Sequence, residues 1–491
     1  MRGTFVARSR DRLLELPHRG ILLLILSGSL LLRLPFFFRD YIDRDESTFI
    51  LVAQSLVDGH LPYTELWDLK PPVLFFLFAA PIWLFGKSMV AIRAMGWLAV
   101  SAIAFYTYLT GKQLYGKAAG VAAGFCCMLL MSLFNSVQGV MSEHLGLAFL
   151  VPAVYLMVRK SVPINFFLAG IGMGLSVLCK SNISVALLLV GAYLMLSAGG
   201  NRRSWVRLGL LVLGGALCIL ASAVPYVAEG QGGLWWGAVV KAPLAYSGTQ
   251  EGAGWKQLPF YAITAGLLLW ALARRWLDRQ HREERLLLVL VAGILLSFLA
   301  GGKLNGHYLL QFYPFFLILL FGALERARRP WLHFFVGLTP LLFLLAPAES
   351  YLEYANVARN YAAHGRLYNG EGVDVPHYLQ ETRQDAAGVL FLEYHIGYWF
   401  LDKAPPSPAA THPSNITRPE LFPYMRENRR TSEAELEYLL GRWRPEIVVT
   451  RQGKSVFDGE FTLENALVRS YLGAFYQRDT VIGRAEIYRK L

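Results

Sequence analysis

Cysteine is almost missing from this chain. The four present, Cys126, Cys127, Cys179 and Cys218, all lie in or beside apolar runs. That excludes a disulfide framework and a cysteine-rich zinc cluster. Charge is scarce as well: charged residues make up 17% of the 491 and hydrophobic ones 55%. Most of such a chain cannot be solvated, which excludes a mainly soluble protein. No Gly-rich phosphate loop occurs between the apolar runs, so a bound nucleotide has no evident site. The net charge is +12. Its Lys and Arg residues sit mostly in short loops between apolar runs, where they orient a membrane protein rather than form a nucleic-acid-binding face.

What is abundant is apolar sequence in runs of membrane-spanning length, from Gly20 to about Pro347. Spans are expected at about 20–38, 91–110, 118–134, 144–158, 164–179, 183–198, 208–227, 258–273, 286–301, 308–322 and 331–347. The first follows Arg2, Arg8, Arg10, Arg12 and Arg19 and has no small-residue cleavage site after it, so it reads as an uncleaved helix. One further run, Pro71–Gly86, is short and carries Pro71, Pro72 and Pro81. If it crossed, later Arg-rich loops would face outward, including 274–285 with Arg274, Arg275, Arg279, Arg282 and Arg285. The charge bias therefore predicts about 11 transmembrane helices, with 71–86 lying at or dipping into the outer surface; the alternative is a short span.

That threading makes residues 1–348 a membrane domain with a first outer loop at 39–90, and puts residues 349–491 outside as a small α/β domain. Strands are expected at 388–394, at 446–450 and on both sides of Gly483, and a helix at 463–472. Ser432-x-x-Glu435 reads as a capping box opening another helix. Pro405-Pro406-Ser407-Pro408 begins a loop expected to be mobile, and Asn415-Ile416-Thr417 is a formal glycosylation acceptor. This region shows no catalytic cluster and is expected to help bind an acceptor or only to stabilise the outer face.

The first outer loop, RDYIDRDESTFILVAQSLVDGHLPYTELWDLKPP from Arg39 to Pro72, is where unusual features converge. Asp45 or Glu46 opens a helical pattern that stops at Gly59, so Asp45 could be a simple N-cap. Yet Asp43, Asp45 and Glu46 crowd three carboxylates at a membrane surface, and like charges so close favour a proton acceptor. Lys70 precedes Pro71-Pro72, which hold the chain extended, and Tyr63 and Trp67 offer flat apolar surface for a ligand or lipid.

The pattern Asp45-Glu46, Gly59, Pro62-Tyr63, Trp67-Asp68 and Lys70-Pro71-Pro72 resembles the signature loop of glycosyltransferase family 39 and its relatives: protein O-mannosyltransferases, lipid A aminoarabinose transferases and lipopolysaccharide galacturonosyltransferases. The resemblance implies a GT-C fold: a polytopic α-helical membrane protein with juxtamembrane helices in the first outer loop and an extracytoplasmic C-terminal domain. It implies that Asp45 is the catalytic base with Glu46 its neighbour. It implies that Lys70 contacts the donor or orders the loop. Glu143 matches a second acidic position, Lys180 a lysine at the outer end of the fifth span, and Lys303, His307 and Tyr308 a motif lining the donor site. The aminoarabinose branch has an acid directly before Lys-Pro; here that residue is Leu69, which weakens any transfer of its metal site.

The chemistry so implied is transfer of a sugar from a polyprenyl-phosphate donor to an outer-face glycan, lipid or protein, such as lipopolysaccharide, with inversion. The place implied is a bacterial inner membrane, with membrane lipids around the chain and the active site on the periplasmic side. Lys70, Lys180, Lys303 and Arg44 are the candidate phosphate partners, and Lys70 and Lys180 are expected to meet at the phosphate. The competing reading is that these lysines only snorkel to the interface. No cofactor is firmly indicated. Adjacent Glu143-His144 could hold a divalent metal, but lacks the spacing of a ligand set. The alternative function is a transporter or flippase of lipid-linked sugars, for which internal repeats and polar residues near the midplane would speak.

Overall fold

Long apolar stretches with few turn formers leave the backbone no partner but itself, and the described residues up to Leu345 form helix after helix. The computed structural model describes residues 5–40, 42–133, 135–159, 162–249, 265–266, 282–300, 306–327, 330–384 and 388–491. Lys303 lies outside these residues, as does nearly all of the expected span at 258–273. The first ten helices are α1 (Phe5–Glu15), α2 (His18–Arg33), α3 (Arg44–Val57), α4 (Pro72–Phe85), α5 (Met89–Tyr115), α6 (Lys117–Leu130), α7 (Ser142–Val158), α8 (Pro163–Val177), α9 (Ile183–Ala198) and α10 (Arg202–Ala228). Four stretches among the described residues are long and apolar enough to cross a membrane: His18–Phe38, Met89–Tyr115, Arg202–Ala228 and Leu332–His364. Shorter apolar helices, α4 and α6 to α9, accompany them.

The chain divides into two units. The first holds residues 1–34, 94–222 and 250–352. In it α7 packs on α8, α9 on the helix Arg282–Ala300, and α6 on Tyr313–Arg326 and Pro330–Leu345. Its main apolar cluster among the described residues includes Val100, Tyr108, Met128, Leu150, Ile183, Val291 and Phe315. Small residues let the backbones of α8 and α10 touch: a Cβ on Gly174 would meet the Gly215 carbonyl oxygen at 2.8 Å. Arg33, buried at the end of α2, donates to the carbonyls of Met131 (3.2 Å), Val137 (2.7 Å), Gln138 (3.1 Å) and Gly139 (2.7 Å). A guanidinium spread over four carbonyls shapes the turn that leads into α7 and so places Glu143.

The second unit holds residues 35–93, 223–249 and 353–491. The segment between the first two long apolar helices and the C-terminal chain therefore belong together. A four-stranded sheet, order β1-β2-β4-β3, joins β1 (Val389–Phe391), β2 (Ile447–Arg451), β3 (Tyr476–Ile482) and β4 (Ala485–Lys490). β1 runs parallel to β2, and the β3–β4 hairpin is antiparallel, turning at Gly483 with φ 59°. The expected helix at 463–472 forms as Thr462–Phe475. α3 packs on α4 through Phe49, whose ring meets Phe75 and Phe78 edge-on at 6.4 and 5.5 Å.

Four local expectations change. The cap of the helix at 432 is Thr431, which accepts from the Ala434 N–H, while Glu435 bonds Ser407 and Arg429 instead. Ser407 is consequently buried, so the Pro405–Pro408 segment is packed. Asn415 is 1% exposed and cannot present its side chain to a glycan. Tyr63 and Trp67 are interior residues of their unit, at 1% and 0% exposure, and give no open apolar surface.

Candidate active site

The cap of α3 decides what its acids are for. Asp43, in extended backbone, is the N-cap, and its Oδ1 accepts from the Asp45 N–H at 2.9 Å. Asp45 is therefore spared the capping role. Its Oδ2 faces Lys70 Nζ at 3.2 Å and its Oδ1 faces His412 Nε2 at 3.2 Å. His412 Nδ1 accepts from the Ser414 N–H, which leaves the ring proton on Nε2, aimed at Asp45. The Asp45 side chain keeps 20% of its surface open to solvent.

Glu46 points elsewhere. Both its oxygens meet Arg93, at 2.7 Å from Nε and 2.6 Å from Nη2, and Arg93 also donates to the Phe36 carbonyl. Both side chains are buried. The three crowded carboxylates thus go to three partners, cap, cation pair and guanidinium fork. Each acid has its own neighbour: the Asp45 N–H for Asp43, Lys70 and His412 for Asp45, and the Arg93 guanidinium for Glu46.

Lys70 is positioned from two sides. Its carbonyl accepts from the Tyr63 hydroxyl at 2.6 Å, and its ammonium lies 5.3 Å from the centre of the Phe49 ring. Tyr63 itself has φ 74° and is held by Phe75 and Tyr226. Arg44 bonds Glu393, Ser414 Oγ (3.4 Å) and the Val456 carbonyl (3.3 Å). Arg451 and Lys454 approach the same Glu393 at 3.8 Å. Thr48, one turn along α3, bonds His395 Nε2 at 2.9 Å. Burial, with His412 and Arg44 nearby, pushes the His395 ring well below the usual imidazole range.

The first unit holds a second charged cluster. Glu143, fully buried in the first turn of α7, lies 2.7 Å from Lys180 Nζ and 3.9 Å from His307 Nε2. The Lys180 ammonium sits 4.5 Å from the centre of the Tyr308 ring. Four expected site residues, Glu143, Lys180, His307 and Tyr308, are therefore neighbours. His144 is not a free ligand: its Nδ1 accepts from the Met141 N–H and its Nε2 donates to the Met131 carbonyl, each at 3.2 Å. Among the described residues no cluster of three or more His, Cys, Asp or Glu could hold a metal.

His412 and the Glu46–Arg93 fork went unrecognised in the sequence. His412 lies 367 positions from Asp45 in a stretch with no periodic pattern, so no local signal marks it. The acid of the fork was noticed, but pairing it with an arginine 47 positions on needs the fold.

A family model described as dolichyl-phosphate-mannose-protein mannosyltransferase matches residues 69–228. That stretch contains Lys70, Glu143 and Lys180. No curated protein sequence matches the chain. Among solved structures, ArnT from Cupriavidus metallidurans bound to undecaprenyl phosphate aligns with a TM-score of 0.61 and 11% identity, over 96% of this chain and 98% of that one. The archaeal oligosaccharyltransferase AglB from Archaeoglobus fulgidus, in complex with an inhibitory peptide and a dolichol-phosphate, aligns with a TM-score of 0.48 and 13% identity, over 88% of this chain and 69% of that one. The chain is a polytopic helical membrane protein with a small C-terminal sheet domain. Its fold is that of the GT-C glycosyltransferases.

Proposed function

We propose that this protein is a glycosyltransferase that moves a sugar from a polyprenyl-phosphate donor to an acceptor on the outer, periplasmic face of a bacterial inner membrane. The acceptor class is an envelope glycan, lipid or protein, with lipopolysaccharide the leading case. One observation carries the reading. Asp45 is released from capping by Asp43, held between Lys70 and His412, and left partly open to solvent. A carboxylate so placed can take a proton from an incoming hydroxyl.

The reaction needs little else from the protein. The acceptor hydroxyl gives its proton to Asp45, and its oxygen bonds to the anomeric carbon. The bond from that carbon to the phosphate oxygen breaks, and the electron pair leaves with the lipid phosphate. Attack opposite the leaving group inverts the anomeric centre. Lys70 has two anionic partners in this scheme, Asp45 at rest and the phosphate once donor is bound. Its departure frees Asp45 Oδ2 to accept the proton, and its charge stabilises the phosphate. His412, donating to Oδ1, holds the carboxylate in place. Glu143, Lys180, His307, Tyr308 and Lys303 are assigned to the donor or acceptor site, and Glu46 to positioning through Arg93.

The test is turnover and donor affinity with undecaprenyl-phosphoryl sugars and purified envelope glycolipids. Asp45→Asn should bind donor normally and lose about 100- to 10,000-fold in transfer, because an amide cannot take the proton. Lys70→Ala should weaken donor binding by about one to three powers of ten. Near wild-type turnover in Asp45→Asn would remove the assignment. Movement of lipid-linked sugar across vesicles without any glycosylated product would replace it with transport.

A further inference from the structure

The Glu143–Lys180 pair lies among polar groups that are buried and find no hydrogen-bond partner among the described residues. Gln311 is 0% exposed, and neither its Oε1 nor its Nε2 is bonded. Ser176 is also 0% exposed, and its Oγ is unbonded. Desolvated amides and hydroxyls are rarely left so in an interior, and each calls for an explanation, a ligand among them.

Their placement is specific. Gln311 closes the 3₁₀ turn Gly306–Gln311, and residues three apart in such a turn eclipse, so its side chain shares a face with Tyr308. The Tyr308 ring is the one against the Lys180 ammonium. Ser176 stands one turn before Lys180, whose N–H donates to the Ser176 carbonyl at 3.0 Å. Opposite them, α7 presents Gly146: a Cβ there would lie 3.4 Å from the Ser176 carbonyl oxygen and 3.6 Å from Lys180 Cβ. Gln311 therefore shares the turn that carries Tyr308, and Ser176 lies on the turn that leads into Lys180, both within the first unit.

The chemistry of the unbonded groups says what fits. An ionised phosphate only accepts hydrogen bonds and would leave the Gln311 oxygen unsatisfied. A hydroxyl both donates and accepts, and a pair of hydroxyls matches an amide at both ends. We infer that Gln311, supported by Ser176, is a sugar-reading subsite that bonds hydroxyls of the donor's sugar beside Lys180. This rests on the proposed transfer from a polyprenyl-phosphate sugar and goes beyond it by assigning recognition of the sugar to a residue outside the charged cluster. A site built to bond a hydroxyl discriminates strongly against ligands that lack it, because its own polar atoms are then stranded.

The experiment uses the full-length protein in lipid nanodiscs. The probes are undecaprenyl phosphate and its glucosyl, mannosyl, galactosyl and galacturonosyl derivatives. Affinity for each is measured on wild type, Gln311→Met and Gln311→Leu, with the melting temperature of each unliganded protein. Wild type should bind at least one sugar-bearing probe about tenfold or more tighter than the bare lipid phosphate. Gln311→Met should keep its affinity for the bare lipid within about twofold and lose that preference. Its unliganded form should melt at the same temperature or higher, because an unbonded buried amide has been replaced by an apolar chain of similar shape. The inference is overturned if the variants retain the sugar preference, if they lose affinity for the bare lipid equally, if they melt lower, or if wild type shows no preference among the probes. If wild type fails to bind even undecaprenyl phosphate, the donor reading itself falls.

Discussion

Asp43 and Asp45 stand two positions apart and do different work, and the difference is one hydrogen bond. Because Asp43 holds the Asp45 N–H, the Asp45 carboxylate is left for Lys70 and His412. The neighbouring Glu46 has the opposite fate, locked to Arg93 in a buried fork. Removing one partner of such a pair strands a buried charge. Arg93→Leu should therefore lower stability by about 3–5 kcal/mol, and Arg93→Leu with Glu46→Leu should recover much of it. Thermal unfolding of the two variants in detergent is the measurement; equal loss in both would mean the charge is not what matters. His395 supplies a pH prediction. Its folded value is depressed below the usual 6.5, so below about pH 6.5 the unfolded chain binds a proton that the folded ring resists. Its contribution is fully present above that pH and is lost as pH falls toward the folded value, at up to about 1.4 kcal/mol per pH unit. His395→Asn should flatten this part of the acid limb in melting curves; an unchanged limb would assign it to other groups.

At the scale of elements, α4 is the informative helix. Its 14 residues reach about 21 Å, short of a hydrocarbon core of about 30 Å. α6 has the same length, so length alone does not separate them. What separates them is how α4 is used. Leu74, Phe75, Phe78 and Ile82 are buried, Phe75 and Phe78 against α3, while Trp83, Leu84 and Phe85 at its end are exposed. A helix with one face on protein and an aromatic end left open suits the membrane interface. If α4 lies there and does not cross, residue 88 stays on the outer side. A cysteine at Ser88 should then react with an impermeant thiol reagent added outside, and one at Gln113 should not. The reverse pattern would make α4 a span. The proline at its start, Pro72, and the positive φ of Gly86 at its end mark both boundaries, and both were visible in the sequence.

For the whole molecule, the surprise lies in which segments belong together. Composition separates residues 349–491 from the apolar chain before them, and strands, hairpin and helices form close to where patterning put them. Yet residues 353–491 share a unit with 35–93 and 223–249. Thr48 bonds His395, Gln54 accepts from Trp399, Arg44 bonds Glu393 and Asp45 meets His412. A fragment of residues 353–491 expressed alone should therefore lack a stable fold, because these buried groups lose their counterparts. Adding 35–93 to it should restore protection from proteolysis. A stable, cooperative fold for the fragment alone would contradict this. The sequence by itself determined the helical class, the membrane setting, the strands of the sheet and the acids and lysines worth watching, because hydrophobic run length, alternation and charge placement are local properties. Only the tertiary structure decided which acid is spared from capping, that His412 stands beside it and that Gln311 finds no hydrogen-bond partner among the described residues. Those facts depend on contacts between residues hundreds of positions apart, or on partners that are missing, and neither leaves a trace in local sequence.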